Sequence, residues 1–337
     1  MYKLSSYKKI LVIRLSSLGD ILLTSPLLKS LSAAYENCLI DFLLKPQFAQ
    51  AVESSPHINE VIYYQKNELR TIRKKIENSS YDYVIDLQNN FRTRRLLRRS
   101  SIKVFRFQKP TVKKFLLVNL KVNLLKDKTS IAQRYIDSFP LVKGEKLELE
   151  FHYPEGKDEE ANLLSTGIFV DRLIIGICPG SKHFTKRYPA EYFSKLINEL
   201  SQLSYSIFLF GGKEDSKVCS KLAGQNPRVN NFQNENDLYL TAALMKKCSA
   251  VISNDSALMH LACSLDIPTL AIFGSTVAEF GFFPLGNKSV LIENINLNCR
   301  PCTHIGRNEC PKGHFKCMKD ISPQMIISKL QSLLKNE

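Results

Sequence analysis

The sequence predicts an α/β protein made of two doubly wound parallel sheets, and three observations carry that prediction. Short apolar runs alternate with segments of helical period through both halves of the chain, as expected of strands covered on both faces by crossover helices. The alternation stops in a charged stretch over 143–158 and then restarts. A length of 337 residues exceeds what one core ordinarily serves and suits two domains of about 150 residues each. The domains expected are 1–155 and 156–321, followed by a closing helix over 322–337 that could return to the first domain.

In the first half, Ile10–Leu15, Cys38–Leu44 and Tyr83–Leu87 read as strands, with Val61–Tyr64 a shorter one. Ile21–Tyr35 has apolar residues at helical spacing, and Glu68–Ser79 is a polar, basic helix. Lys143–Asp158 is charged and holds Pro154 and Gly156, which makes it the linker. Beyond it, Leu173–Cys178, Ser206–Phe210, Ala250–Ser253 and Thr269–Phe273 are strands. Pro189–Leu203, Asp237–Lys247 and Ala257–Leu265 are the helices between them. Pro323–Leu334 closes the chain as an amphipathic helix capped by Ser322.

An apolar fraction of 44% fits a globular protein, and no apolar run reaches the roughly 18 residues needed to span a bilayer. The basic, then apolar, N-terminus is interrupted by Arg14 and Asp20 and lacks a small-residue cleavage site, so a cytoplasmic location is expected. The net charge is +15, and residues 1–150 carry 27 Lys/Arg against 14 Asp/Glu. Such a field attracts nucleic acid, anionic lipid or an acidic glycolipid, unless it is only a solvated basic face. Of nine cysteines, Cys38, Cys178, Cys219, Cys248 and Cys263 stand singly in apolar stretches and read as core thiols.

Two Gly/Asp or Asn/Asp turns follow strands in opposite halves. In Arg14-Leu-Ser-Ser-Leu-Gly19-Asp20, Gly19 permits a tight turn and the next helix offers free N–H groups. Asp20 is either a helix cap or a carboxylate able to take a proton from a hydroxyl. The second half has three further strand ends. Pro179-Gly180-Ser181, with Thr185 and Lys186 before Pro189, suits a diphosphate. Phe210-Gly211-Gly212-Lys213-Glu214-Asp215 offers Glu214 to a ribose. Asn254-Asp255-Ser256-Ala257-Leu258-Met259-His260 opens a third helix, where His260 suits packing as well as chemistry. There is no dinucleotide Gly motif, no Walker loop and no Asp-x-Asp pair, so Lys, Arg and helix dipoles would have to stabilise a leaving phosphate without a metal cofactor.

Residues 11–28, Asp86-Leu87-Gln88 with Arg92, Pro179-Gly180-Ser181 with Lys186-Arg187-Tyr188-Pro189, and residues 251–262 together resemble glycosyltransferase family 9, the ADP-heptose:lipopolysaccharide heptosyltransferases. The resemblance implies a GT-B architecture, with two Rossmann-like domains facing a central cleft. It implies inverting, metal-independent transfer of heptose from ADP-heptose to a lipopolysaccharide inner-core acceptor at the inner face of the cytoplasmic membrane. The first domain would bind acceptor and the second the nucleotide sugar. Asp20 would be the general base, with Ser17, Gly19, Gln88, Arg92 and Arg95 on the acceptor side. Ser181, Thr185, Lys186, Glu214, Asp255, Ser256, Ala257 and His260 would line the donor site. Two departures stand out: Ala257 replaces the family's usual Gly, and Tyr188 its usual Trp.

The run Arg92-Thr-Arg94-Arg95-Leu-Leu-Arg98-Arg99 suits the carboxylates and phosphates of such an acceptor. Residues 113–126 mix Lys with apolar residues, as in a helix lying on an anionic membrane surface or in an ordinary helix with one buried face. Cys299, Cys302, Cys310 and Cys317, near His304 and His314, have the ligand types of a structural zinc site, and a labile disulfide or plain thiols fit equally. Rival readings are a transferase for another nucleotide sugar, a catalytically inactive scaffold, and a basic nucleic-acid-binding protein. The last is disfavoured because no interleaved aromatics or nucleic-acid module accompany the arginines, so no nucleic-acid partner is expected.

Overall fold

The structure is a computed structural model that describes residues 7–98, 100–125, 127–142, 147–168, 172–286 and 288–335. Arg99, Lys126 and the 143–146 start of the expected linker lie outside the described residues. The chain divides into two compact units, Met1–Pro110 with Thr129–Tyr153, and Thr111–Lys128 with Pro154–Glu337. The segment 111–128, expected within the first domain, therefore belongs to the second.

The first unit is built on five parallel strands: β1 (Lys9–Ile13), β2 (Leu39–Leu44), β3 (Glu60–Tyr63), β4 (Tyr83–Asp86) and β5 (Lys103–Arg106). Their order is β3-β2-β1-β4-β5. Ile13 pairs with Leu43 on one side and with Asp86 on the other. Central β1 is solvent-free from Ile10 to Ile13, as its unbroken apolar run demands. The helix expected over Ile21–Tyr35 is two helices, Leu18–Leu22 and Ser25–Ala34. Pro26 has no N–H to donate, so it is accommodated only in the first turn of a new helix.

Six parallel strands form the second sheet: β6 (Ile174–Cys178), β7 (Ser206–Leu209), β8 (Val229–Asn231), β9 (Ala250–Asn254), β10 (Thr269–Phe273) and β11 (Ser289–Glu293). They run in the order β11-β10-β9-β6-β7-β8. The last helix, Pro323–Lys335, is part of the second unit. Its Ile326, Ile327 and Leu330 are buried in the core of the second, with Phe193, Leu196 and Leu200 of helix Ala190–Gln202. Tyr188 anchors this end by donating from Oη to Ile321 O at 2.7 Å.

Candidate active site

Each sheet reverses its winding once, and most of the residues singled out from sequence follow the carboxyl ends of the strands at that reversal, where open α/β sheets bind ligands. In the first sheet the reversal lies between β1 and β4. Gln88, beyond β4, takes two backbone N–H groups into its Oε1, from Leu15 at 2.9 Å and Ser16 at 3.2 Å. Arg14, beyond β1, donates to Leu87 O at 2.8 Å. The two strand ends are thereby locked together, and helix Leu18–Leu22 starts from a fixed point.

Asp20 sits in that helix's first turn. Its Oδ2 accepts from Ser17 Oγ at 2.6 Å and Ser17 N at 3.1 Å, and its Oδ1 lies 2.6 Å from Arg14 Nη2. Tyr135 Oη donates to the same oxygen at 3.4 Å, and its ring lies beneath the guanidinium. Burial pushes the Asp20 carboxyl up, but the Arg14 charge and the Ser17 hydrogen bonds more than offset it and hold the group below the usual carboxylate range. Asp20 is thus both the cap and an ionised carboxylate. Because its folded value is depressed, the pair adds stability above the unfolded aspartate value of about 3.9 and loses it as pH falls through the folded value. Were Asp20 to act as a base, the acid limb of the pH–rate profile would accordingly lie below about pH 3.9. Arg14→Gln should move that limb upward in a pH–rate profile; an unmoved limb would assign it to another group.

The other residues expected on the acceptor side divide in role. Gly19 is buried within the helix, and Gln88 serves as the brace just described. Asp86 is fully buried and accepts from Asn89 N at 2.7 Å, with burial raising its carboxyl. Asn90 caps helix Phe91–Leu96 by accepting from Arg92 N and Thr93 N, which leaves the Arg92 and Arg95 side chains exposed. Lys109 Nζ donates to Gln88 O at 2.6 Å and Asn89 O at 3.1 Å, adding a cation to this strand end.

In the second sheet the reversal lies between β6 and β9, and Ser181 Oγ bridges them by donating to Asp255 O at 3.0 Å. Asn254 ties the same loops, donating to Pro179 O at 2.8 Å and accepting from Tyr188 N at 3.0 Å. Lys186, ending the short helical turn Phe184–Lys186, reaches Asp255 Oδ2 at 2.8 Å. Thr276 Oγ1, beyond β10, donates to that oxygen at 2.6 Å. Ser256 is the N-cap of helix Ala257–Ser264, and its own Oγ is 3.3 Å from Ser253 Oγ. A lysine, a carboxylate, two hydroxyls and a helix N-terminus therefore meet at one strand-end site, which suits a sugar joined to a diphosphate.

Three expected donor residues lie otherwise. Thr185 is buried and accepts from Arg307 N at 2.9 Å, tying two loops. His260 is 3% exposed and faces Phe282. Glu214 is exposed, whereas its neighbour Asp215 turns inward, accepts from Gly212 N at 3.1 Å and packs on Gly180. A Cβ at Gly180 would overlap the Asp215 carboxylate. Gly180→Ala should displace this loop and weaken binding of a diphosphate sugar at this strand end at least tenfold, by about 1.4 kcal/mol, as read by calorimetry; an unchanged Kd would show that the loop yields freely. Tyr188 is 2% exposed and belongs to the core.

The Cys-rich segment braces this second strand-end site. Arg300 donates to Gly274 O at 2.6 Å and Thr276 O at 2.7 Å, and pairs with Glu293 at 2.6 Å, which fixes the loop carrying Thr276. Cys299, Cys302, Cys310 and Cys317 are free thiols around one small cavity that His314 also lines. Cys299 Sγ is 3.9 Å from His314 Nε2, and burial pushes the Cys317 thiol up to about 12. Among the described residues no three His, Cys, Asp or Glu side chains are set to hold a metal ion. Four of the five single cysteines are buried, and Cys38 is half-buried.

A family model described as "Glycosyltransferase family 9 (heptosyltransferase)" matches residues 69–312. The chain is 28% identical to lipooligosaccharide heptosyltransferase 2 of Haemophilus influenzae, over 96% of this chain and 99% of that one. It is 26% identical to lipopolysaccharide heptosyltransferase 2 of Salmonella typhimurium, over 98% and 99%. Among solved structures it is similar to the ADP-heptose lps heptosyltransferase II of E. coli, with a TM-score of 0.76 and 25% identity over 97% of this chain and 99% of that one.

Proposed function

The chain belongs to glycosyltransferase family 9, the heptosyltransferases, and on that premise we propose that it transfers heptose from ADP-heptose to the acidic inner core of a lipopolysaccharide acceptor. The observation that carries the reading is the Lys186–Asp255–Thr276 cluster at the β6/β9 reversal. Lys186 and the N-terminus of helix Ala257–Ser264 hold the diphosphate, and Asp255 accepts hydrogen bonds from the sugar hydroxyls.

The chemistry follows from these groups. An acceptor hydroxyl oxygen attacks the anomeric carbon opposite the diphosphate; the bond from that carbon to the phosphate oxygen breaks, and configuration inverts. The hydroxyl proton passes to Asp20, and ADP leaves with the electron pair. The attacking oxygen becomes acidic only as its new bond forms, so a carboxylate of depressed pKa is base enough at that moment. Lys186 and the helix N–H groups offset the charge growing on the diphosphate, where fixed donors count most. Arg92, Arg95 and their neighbours receive the acceptor's carboxylates and phosphates. A lipid-anchored acceptor places the enzyme peripherally at the inner face of the cytoplasmic membrane.

The test is incubation with a panel of nucleotide sugars and defined truncated cores, read by mass spectrometry. Addition of one heptose from ADP-heptose is expected. Transfer from a different nucleotide sugar, with none from ADP-heptose, would replace this reading.

A further inference from the structure

Helix Thr111–Asn119 has two apolar stripes. Lys114, Leu117 and Val118 follow the i, i+3, i+4 spacing of one face, and that face is fixed to the second unit. Leu117 packs with Leu125 and Phe280, and Val118 joins them. Lys114 Nζ lies 5.7 Å from the Phe280 ring centre and 5.5 Å from that of Phe282. Lys121 Nζ donates to Pro301 O at 2.6 Å and Val118 O at 3.0 Å. The opposite stripe, Val112, Phe115, Leu116 and Asn119, has the same spacing and points away from that core. Val112 is 70% and Phe115 60% exposed, and the following turn adds exposed Leu120, Val122 and Leu124. A single exposed leucine needs no explanation, but five large apolar side chains exposed within thirteen residues form a patch of the kind that marks a contact surface.

Charge identifies the partner. Residues 111–124 hold Lys113, Lys114 and Lys121 and no Asp or Glu, and Lys113 is exposed. We propose that helix Thr111–Asn119 and the turn through Leu124 are a docking surface for an anionic bilayer, holding the enzyme on the membrane that carries its acceptor. The proposal rests on the reading of that acceptor as lipid-anchored. Apolar side chains entering the acyl boundary and lysines meeting anionic headgroups are the two requirements of such a surface, and this strip supplies both. A second copy of the chain docking through the same face would bring two acid-free strips together, and their like charges oppose it.

The test is cosedimentation of the full-length protein with phosphatidylglycerol/phosphatidylethanolamine vesicles and, separately, with phosphatidylcholine vesicles. Binding is expected to the anionic vesicles only and to weaken as salt rises. Phe115→Glu with Leu120→Glu should lower the bound fraction roughly tenfold, while turnover of a water-soluble, deacylated acceptor stays within about twofold of wild type. Absence of wild-type binding, or binding unchanged by the double substitution, overturns the proposal. So does a wild-type dimer that the same substitution converts to monomer. Anionic-vesicle binding that the substitution abolishes, without any turnover of ADP-heptose, would uphold the docking surface and sink the functional reading instead.

Discussion

Asp20→Asn should cut heptose transfer by about 10²–10⁴-fold while leaving ADP-heptose affinity near that of wild type. Asparagine has the same shape and can still accept from Ser17, but it cannot accept the acceptor's proton. The groups proposed to hold the donor, Ser181, Lys186 and Asp255, make their contacts within the second unit, so their geometry does not depend on Asp20. Some stability is lost, because Arg14 is only 7% exposed and gives up its counter-charge. It keeps its bond to Leu87 O and its place over the Tyr135 ring, so the loss should be about 1–3 kcal/mol. Turnover by mass spectrometry, donor binding by calorimetry and a denaturation curve separate the three effects. Near-normal turnover would remove Asp20 from the role of base.

The same contrast between chemistry and scaffolding explains what was legible in the sequence. Central strands announce themselves because burial on both faces demands unbroken apolar runs, as in Ile10–Ile13 and Leu270–Phe273. The three strands that sequence reading missed, β5, β8 and β11, are all edge strands. An edge strand lacks a neighbour on one side, so Lys103–Arg106 and Val229–Asn231 can be short and polar and carry no such signal. At the two strand-end sites, the turn motifs pointed to Asp20, Lys186 and Asp255 because a tight turn before a helix leaves a local imprint. Their partners leave none. Tyr135 meets Asp20 from more than a hundred residues away, and Thr276 reaches Asp255 from the next strand. Only the topology that brings those strand ends together pairs them. Glu214 was read as a ribose partner from its place beyond the strand, and nothing local shows that its neighbour Asp215 turns inward onto Gly180.

Lys186→Met is expected to damage the protein twice, and the two effects can be separated. Loss of a fixed cation facing the developing diphosphate charge should lower kcat by about 10²–10³-fold, or roughly 2.7–4 kcal/mol. The second effect is on folding. The Asp255 side chain is 6% exposed and that of Lys186 17%, so the carboxylate is the more deeply held partner. Without the lysine it keeps the Thr276 hydroxyl at 2.6 Å but has no compensating charge, and breaking a buried pair in this way costs about 3–5 kcal/mol. Adding Asp255→Asn removes the stranded charge, so Lys186→Met with Asp255→Asn should recover most of the lost stability in a denaturation curve. It should not recover turnover, because neither substitution restores a cation to the diphosphate. If the double variant regained both stability and turnover, Lys186 would be only the counter-ion of Asp255, and the helix N-terminus alone would have to support the leaving group.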